Sequence, residues 1–366
     1  MTRFKRANHI YIITLKVFYY FCTMKIRFWF VLHIVSMVCI SCTPKVDLFE
    51  EPKDIPVIYG ILNSDADTNF IKITHSFYAT DNNLLAANDP LMSDYPGKLD
   101  VRLTEYANGD SIRQIILDTI TLHNKQPGVF YTPDQKMYYT TEKLARNNQD
   151  TLYGYRLTVV LPDRTVTAYT DMVGSSLFRI QSLGVNFSKE YFGTNQPFLF
   201  NPAINATIYD FDLAFSFREQ RTPDSDSVLR TMKWHIDTYY EDDVAHHISQ
   251  YGINYFTYRP ENFWRHLEEF IGADTCVVGL TRMLSDHAGV VIITAGGPTL
   301  QEYMHYANVV NPQHLNEYVY SNIDGAIGVF SSKMTRSQYV GLGGQTMPQL
   351  IEDPRWGFKF IGGAEP

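Results

Sequence analysis

The chain carries 366 residues, with 31 Lys and Arg against 39 Asp and Glu, a formal net charge of −8 and 14% aromatic side chains. That length exceeds one typical domain, and the acidic balance repels phosphate backbones and anionic lipid, which argues against nucleic acid as a partner. Three of the four cysteines, Cys22, Cys39 and Cys42, lie in the opening segment; Cys276 is then alone, so neither an internal disulfide nor a cysteine-rich metal site is expected.

The opening predicts a sorting signal. Met24 is followed by the basic pair Lys25 and Arg27 and then by Phe28–Ile40, an apolar run of 13 residues broken only by His33 and Ser36. A spanning helix needs roughly 20 apolar residues, whereas a run of this length fits the apolar centre of a signal peptide. The segment ends Val38-Cys39-Ile40-Ser41-Cys42. A small residue before a cysteine resembles a bacterial lipoprotein signal, in which the cysteine is lipidated and becomes the first mature residue. The departure is Cys39, where that pattern usually has Leu. Residues 24–41 are therefore expected to be the signal peptide, Cys42 the lipidated residue, and 1–23 a start assigned upstream of the true initiator. The competing reading is an inner-membrane anchor over residues 10–40. Lys16, Lys25 and Arg27 interrupt it, and one charge at a helix centre costs about 2.5–3.5 kcal/mol on the insertion scale. Cleavage before Cys42 would leave 325 residues with 25 basic and 39 acidic side chains, a net charge of −14.

Residues 42–54, polar and twice interrupted by proline, read as a tether. From 55 to 176 apolar residues alternate with polar ones between turn signals, which predicts an all-β domain. "IPVIYGIL" is its first strand, and "FIKITHSF" and "KLDVRLTEY" alternate cleanly. Asn108-Gly109 predicts a tight turn, because both residues tolerate positive φ. "YRLTVV" and "TVTAYT" flank Leu161-Pro162-Asp163-Arg164 as a hairpin. Short, regular strands of this kind predict a β-sandwich. Residues 177–366 form the second expected domain. In "IYDFDLAFSFRE", Tyr209, Phe211, Leu213, Phe215 and Phe217 share one face, and "VLRTMKWHID" answers it with Leu229, Met232, Trp234 and Ile236. Two helices interrupt this β pattern. "PENFWRHLEEFIG" starts at Pro260 and stops at Gly272, and "GGPTLQEYMHYAN" starts at Pro298.

Candidate chemistry concentrates in "WHIDTYYEDDVAHHISQY". His235, Asp237, His246 and His247 are side chains of the type that bind zinc. Their spacing matches no ligand motif, and a polar loop after a strand accounts for them equally well, so no metal or cofactor is expected. Asp65, Asp67 and Asn69 alternate as at the start of a calcium loop, but Phe70 replaces the required glycine, and a hairpin turn is the better reading. Cys276, inside an apolar run, reads as a buried small hydrophobe. No phosphate loop and no nucleophile elbow is present. Tyr239, Tyr240, Tyr251, Tyr255, Tyr258 and Trp264 crowd one stretch with Phe256 and Phe263. Some must be core, and the others predict an exposed aromatic patch of the kind that contacts partners.

The order of several pieces carries a family resemblance. The cysteine and acidic tether precede "IPVIYGILN", "FIKITHSF", "LDVRLTEYANG", "QPGVFYTPDQ", "YGYRLTVVLPDRTVTAYTDM" and, near the end, "YSNIDGAIGVFSSK". Over about 42–335 the chain resembles an uncharacterised family of Bacteroidetes outer-membrane lipoproteins, a domain of unknown function. The resemblance implies two immunoglobulin- or fibronectin-like sandwiches and an outer-membrane location, often beside genes for TonB-dependent receptors. It brings no catalytic residues. Asn322, Gly325, Gly328 and Phe330 match its C-terminal motif, which reads as structural. The expected protein is thus mostly β, with helices inserted in the second sandwich, and is not an enzyme. It is expected to be an accessory or binding subunit of an envelope transport or assembly complex, docked on a barrel such as a TonB-dependent receptor. Capture of glycan or peptide through the Tyr239–Trp264 region is the alternative, and a metal-dependent hydrolase a third.

Overall fold

The computed structural model describes residues 54–76, 87, 89–128, 131–240, 254–272, 281–284, 288–309, 320–352 and 360–362. The signal segment, Cys42, Tyr251, His246, His247 and Cys276 lie outside the described residues. Residues from Asp54 onward form one compact unit.

The first half is the expected run of strands: β1 (Pro56–Asn63), β2 (Asn69–His75), a single helical turn α1 (Pro90–Ser93), β3 (Asp100–Ala107), β4 (Asp110–Ile116), β5 (Asp118–Leu122), β6 (Gln135–Thr140), β7 (Tyr153–Val160) and β8 (Thr165–Asp171). Asn108 and Gly109, at φ 49° and 92°, make the two-residue turn between β3 and β4, and their twist matches that of paired strands. The second half begins with β9 (Arg179–Ile180), β10 (Gly184–Val185), β11 (Gln196–Asn201), β12 (Ile208–Gln220), β13 (Val228–Tyr240) and β14 (Asn254–Tyr258). Helix α2 (Pro260–Ile271), β15 (Thr281–Leu284), β16 (Gly289–Gly296) and helix α3 (Pro298–Val309) follow, then β17 (Ile323–Asp324), β18 (Ile327–Leu342), α4 (Thr346–Glu352) and β19 (Phe360–Gly362). The protein is mostly β, with several sheets.

Two apolar cores form. One joins Ile58, Ile71, Val101, Leu103, Tyr155 and Leu157 to Ile323 and Phe330. The other runs from Val173 to Phe360 and is rich in aromatic rings. The second core contains the inward face of β12, where Tyr209, Phe211, Leu213, Phe215 and Phe217 are all buried. Helix α2 seals it with Phe263, Trp264 and Leu267, and ends at Gly272, whose φ of 71° suits glycine.

The two cores share a sheet. Its strand order is β19-β15-β12-β16-β18-β1-β2-β6-β5, with β13 also paired to β12. Strand β18 is the shared element. Its first part pairs in parallel with β1, from Val57–Ile327 to Asn63–Lys333, and its second part pairs antiparallel with β16. Phe330 therefore enters the first core, and Met334 and Val340 the second. The cores part between Met172 and Val173, but β17 and β18 return from beyond residue 320 to complete the first one.

The YSNIDGAIGVFSSK motif builds this crossing. Asn322 Nδ2 donates to the Phe330 carbonyl at 2.7 Å, and the Phe330 N–H donates to Asn322 Oδ1 at 2.9 Å. Gly328 sits at φ 128°, and a Cβ there would lie 1.9 Å from the Ile58 carbonyl oxygen. Only glycine lets β18 approach β1 so closely. Ser332 Oγ donates to the Asp171 carbonyl at 2.6 Å and accepts from the Val173 N–H at 2.9 Å, tying the junction of the cores to the shared strand.

Candidate functional site

The aromatic stretch expected to form a surface patch divides. Trp264 is 1% exposed, and its Nε1 donates to the Phe187 carbonyl at 2.7 Å, with Lys189 Nζ 4.4 Å above its ring. Tyr258 is buried and accepts at Oη from the Asn186 N–H at 2.8 Å; burial, only partly offset by that bond, raises its pKa. Tyr239 is buried among Tyr209 and Phe211. These three are core residues, which corrects the surface expectation for them. The reason for Tyr239 is a bulge: Asp212 pairs with His235 but Phe211 with Asp237, so Ile236 is skipped and the alternation of β13 changes phase. Tyr258 follows the strict alternation of β14, and Trp264 lies on the buried side of α2. Tyr240 and Tyr255 are half-buried.

The metal candidates are also engaged. His235 Nδ1 lies 2.9 Å from Asp212 Oδ1, and its Nε2 lies 3.1 Å from Thr238 Oγ1. Thr238 Oγ1 donates in turn to Asp210 Oδ1 at 2.8 Å, and Asp237 accepts from the Thr238 N–H. Carboxylate, imidazole and hydroxyl in sequence have the outline of an activated nucleophile. The hydroxyl proton is committed to Asp210, however, so the four side chains form a closed polar chain on the outer face of β12 and β13. Among the described residues no group of three or more His, Cys, Asp or Glu is placed to hold a metal. Asp65, Asp67 and Asn69 occupy the β1–β2 hairpin, where Asn69 Oδ1 accepts from the Asn63 N–H at 2.7 Å.

Two buried carboxylates are structural as well. Glu219, 4% exposed, accepts from Arg230 Nη1 at 2.9 Å and from Arg282 Nε at 3.0 Å. Burial alone would raise its pKa, but the two guanidinium groups win and hold it below the usual carboxylate range. Glu105 accepts from Arg113 at 2.9 Å and from the Tyr155 hydroxyl, which fixes the segment after β6 through Arg113 and the Lys143 carbonyl.

A different aromatic group faces solvent. Tyr59 is 42% exposed, because it points away from the core on β1 while Ile58 and Leu62 point inward. Helix α3 lies against β18 beside it. The glycines before this helix permit the approach, since a Cβ on Gly296 would meet Leu300 at 2.7 Å and Ile208 at 2.9 Å. Thr299 Oγ1 donates to Ser331 Oγ at 2.7 Å and fixes the first turn. Tyr303 and Tyr306, three residues apart on the helix, then share a side. Tyr303 meets Tyr59 edge-on at 6.2 Å between ring centroids, Tyr320 stands 6.2 Å from Tyr303, and Tyr306 stacks on Tyr320 at 5.5 Å and 26°. Tyr306 is itself 42% exposed. The Tyr320 hydroxyl donates to Glu302 Oε2 at 3.0 Å. Burial, and then the Glu302 carboxylate, raises the Tyr320 pKa; burial, and then Tyr303, raises that of Tyr59. Both hydroxyls therefore stay protonated at neutral pH and act as neutral donors.

This cluster offers rigid ring faces, polar hydroxyl edges and one exposed carboxylate on a frame of strand and helix. The residues come from three separate stretches, Tyr59, Glu302–Tyr306 and Tyr320, and no local run of sequence announced them. The one signal was the repeat of tyrosine at 303 and 306, three residues apart on a helix. No family model and no curated protein matches this sequence.

Proposed function

We propose that this chain is a non-catalytic, lipid-anchored outer-membrane protein that works by binding, as an accessory subunit of an envelope transport or assembly complex. The observation that carries this reading is the half-exposed cluster of Tyr59, Tyr303, Tyr306 and Tyr320. Exposed aromatic rings on rigid elements give large contact area with little loss of side-chain freedom. The polar side chains of His235, Glu219 and Glu105 are satisfied within the fold, which fits a binding role. The short apolar leader ending at Cys42 supports the lipid anchor. In the same reading each of the two cores is a sandwich of immunoglobulin or fibronectin type, fused through β18.

The partner expected is an outer-membrane barrel such as a TonB-dependent receptor. Gentle solubilisation of native outer membranes, affinity purification of the tagged chain and mass spectrometry test this. A barrel recovered in stoichiometric amount supports the accessory reading. Recovery of the chain without any envelope protein argues against it and favours direct capture of a small ligand.

A further inference from the structure

We propose that the Tyr59–Tyr303–Tyr320–Tyr306 cluster is a binding platform for a neutral oligosaccharide. This rests on the reading of that cluster as the binding surface and names its ligand class. Pyranose rings present C–H faces of partial positive charge, which are drawn to the negative face of an aromatic ring. Tyr59 and Tyr306, the two exposed rings, stand at the ends of the series, with half-buried Tyr303 and Tyr320 between them. Successive ring centroids are 6.2, 6.2 and 5.5 Å apart. The two exposed rings are thus three ring-to-ring steps apart, which suits an extended ligand of linked sugars better than a single one.

The polar groups fit the same ligand. The Tyr320 hydroxyl gives its one proton to Glu302 and the Tyr59 hydroxyl is hydrogen-bonded to Tyr303, so both present oxygen lone pairs that accept from sugar hydroxyls. Glu302 is exposed and accepts already from Tyr320, and its carboxylate suits sugar hydroxyls as donors. The same negative charge disfavours phosphorylated, sulfated or uronic sugars. A quaternary ammonium group is better held by rings that enclose it. Here Tyr306 and Tyr320 stack on one another, which leaves no space between them for a cation. All four rings are set on or beside a strand or a helix, so little ordering opposes binding.

The test uses the full chain purified in a detergent without a sugar headgroup. Linear hexasaccharides of glucose in α- and β-linkage, N-acetylglucosamine and mannose are titrated by calorimetry. At least one is expected to bind with a sub-millimolar Kd that high salt leaves unchanged. Tyr306→Ala should weaken it about tenfold or more, and Glu302→Gln by less, while Tyr240→Ala should not change it. Binding of none of the four, or equal binding by Tyr306→Ala, overturns the proposal. If no hexasaccharide binds but a co-purifying envelope protein is lost in Tyr306→Ala, the glycan proposal falls and the binding-subunit reading stands. If neither depends on Tyr306, both fall.

Discussion

Asp65, in the turn between β1 and β2, forms an ion pair with Arg336 of β18, 271 residues away along the chain. Arg336 also donates through Nε to the Phe178 carbonyl at 3.0 Å and lies over the Phe178 ring, while Asp65 pairs with Arg146. One partly buried guanidinium thus joins the hairpin of the first core, the shared strand and the start of the second core. Arg336→Ala is expected to cost about 1–3 kcal/mol, between the values for exposed and buried pairs. Urea unfolding should show one transition moved to lower denaturant. An unmoved midpoint would mean that the pair contributes nothing to holding the cores together.

Trp264 separates core from surface by stability. Its ring is buried and its N–H satisfies the Phe187 carbonyl. Trp264→Ala should destabilise the protein by about 3–5 kcal/mol. Tyr255→Ala, at a half-buried position, should cost markedly less. Thermal or urea denaturation of the two variants checks the order, and equal small effects would return Trp264 to the surface.

Glu219 gives a pH dependence of defined sign. Its folded pKa is held low against burial by Arg230 and Arg282. The folded chain therefore takes up this proton at lower pH than the unfolded chain, whose Glu titrates near 4.3. The stabilisation is complete above that value and is lost as pH falls through the lowered folded value. Stability of wild type measured from pH 6 down to pH 3 should fall more steeply than that of Glu219→Gln. Parallel curves would contradict the assignment.

Cys42→Ala is expected to abolish lipidation and release the protein from the membrane fraction. Fractionation followed by mass spectrometry of the N-terminal peptide reads both. Retention of the unlipidated variant in the membrane would favour the anchor reading of residues 10–40 instead.

Much of this architecture was legible in the sequence where one strand carries its own pattern. The alternation of β12 named every inward ring from Tyr209 to Phe217, and Pro260 and Gly272 bounded α2. The pairing of β1 with β18 was not legible, because a parallel partner far along the chain leaves no local trace. Tyr239 was misplaced because a bulge at Ile236 reverses the phase of β13, and bulges have no reliable local signature. Aromatic density therefore pointed to residues 239–264, where the rings mostly fill the core. The solvent-facing rings of the cluster are Tyr59, on the outer side of a strand, and Tyr306, on a helix three residues beyond Tyr303. They are joined, through Tyr303 and Tyr320, by the packing of α3 on the shared sheet.

We propose that this cluster, and not the 239–264 stretch, is the surface through which the chain binds. The most direct measurement compares the full chain, the pair Tyr59→Ala with Tyr306→Ala, and the pair Tyr240→Ala with Tyr255→Ala. Each is purified in parallel from gently solubilised native envelopes, and co-purifying envelope proteins are quantified by isotope-ratio mass spectrometry. The expected result is a loss of about tenfold or more in the bound partner, equivalent to ~1.4 kcal/mol, for the first pair and little change for the second. Loss confined to the Tyr240 and Tyr255 pair, or equal recovery in all three, would contradict it.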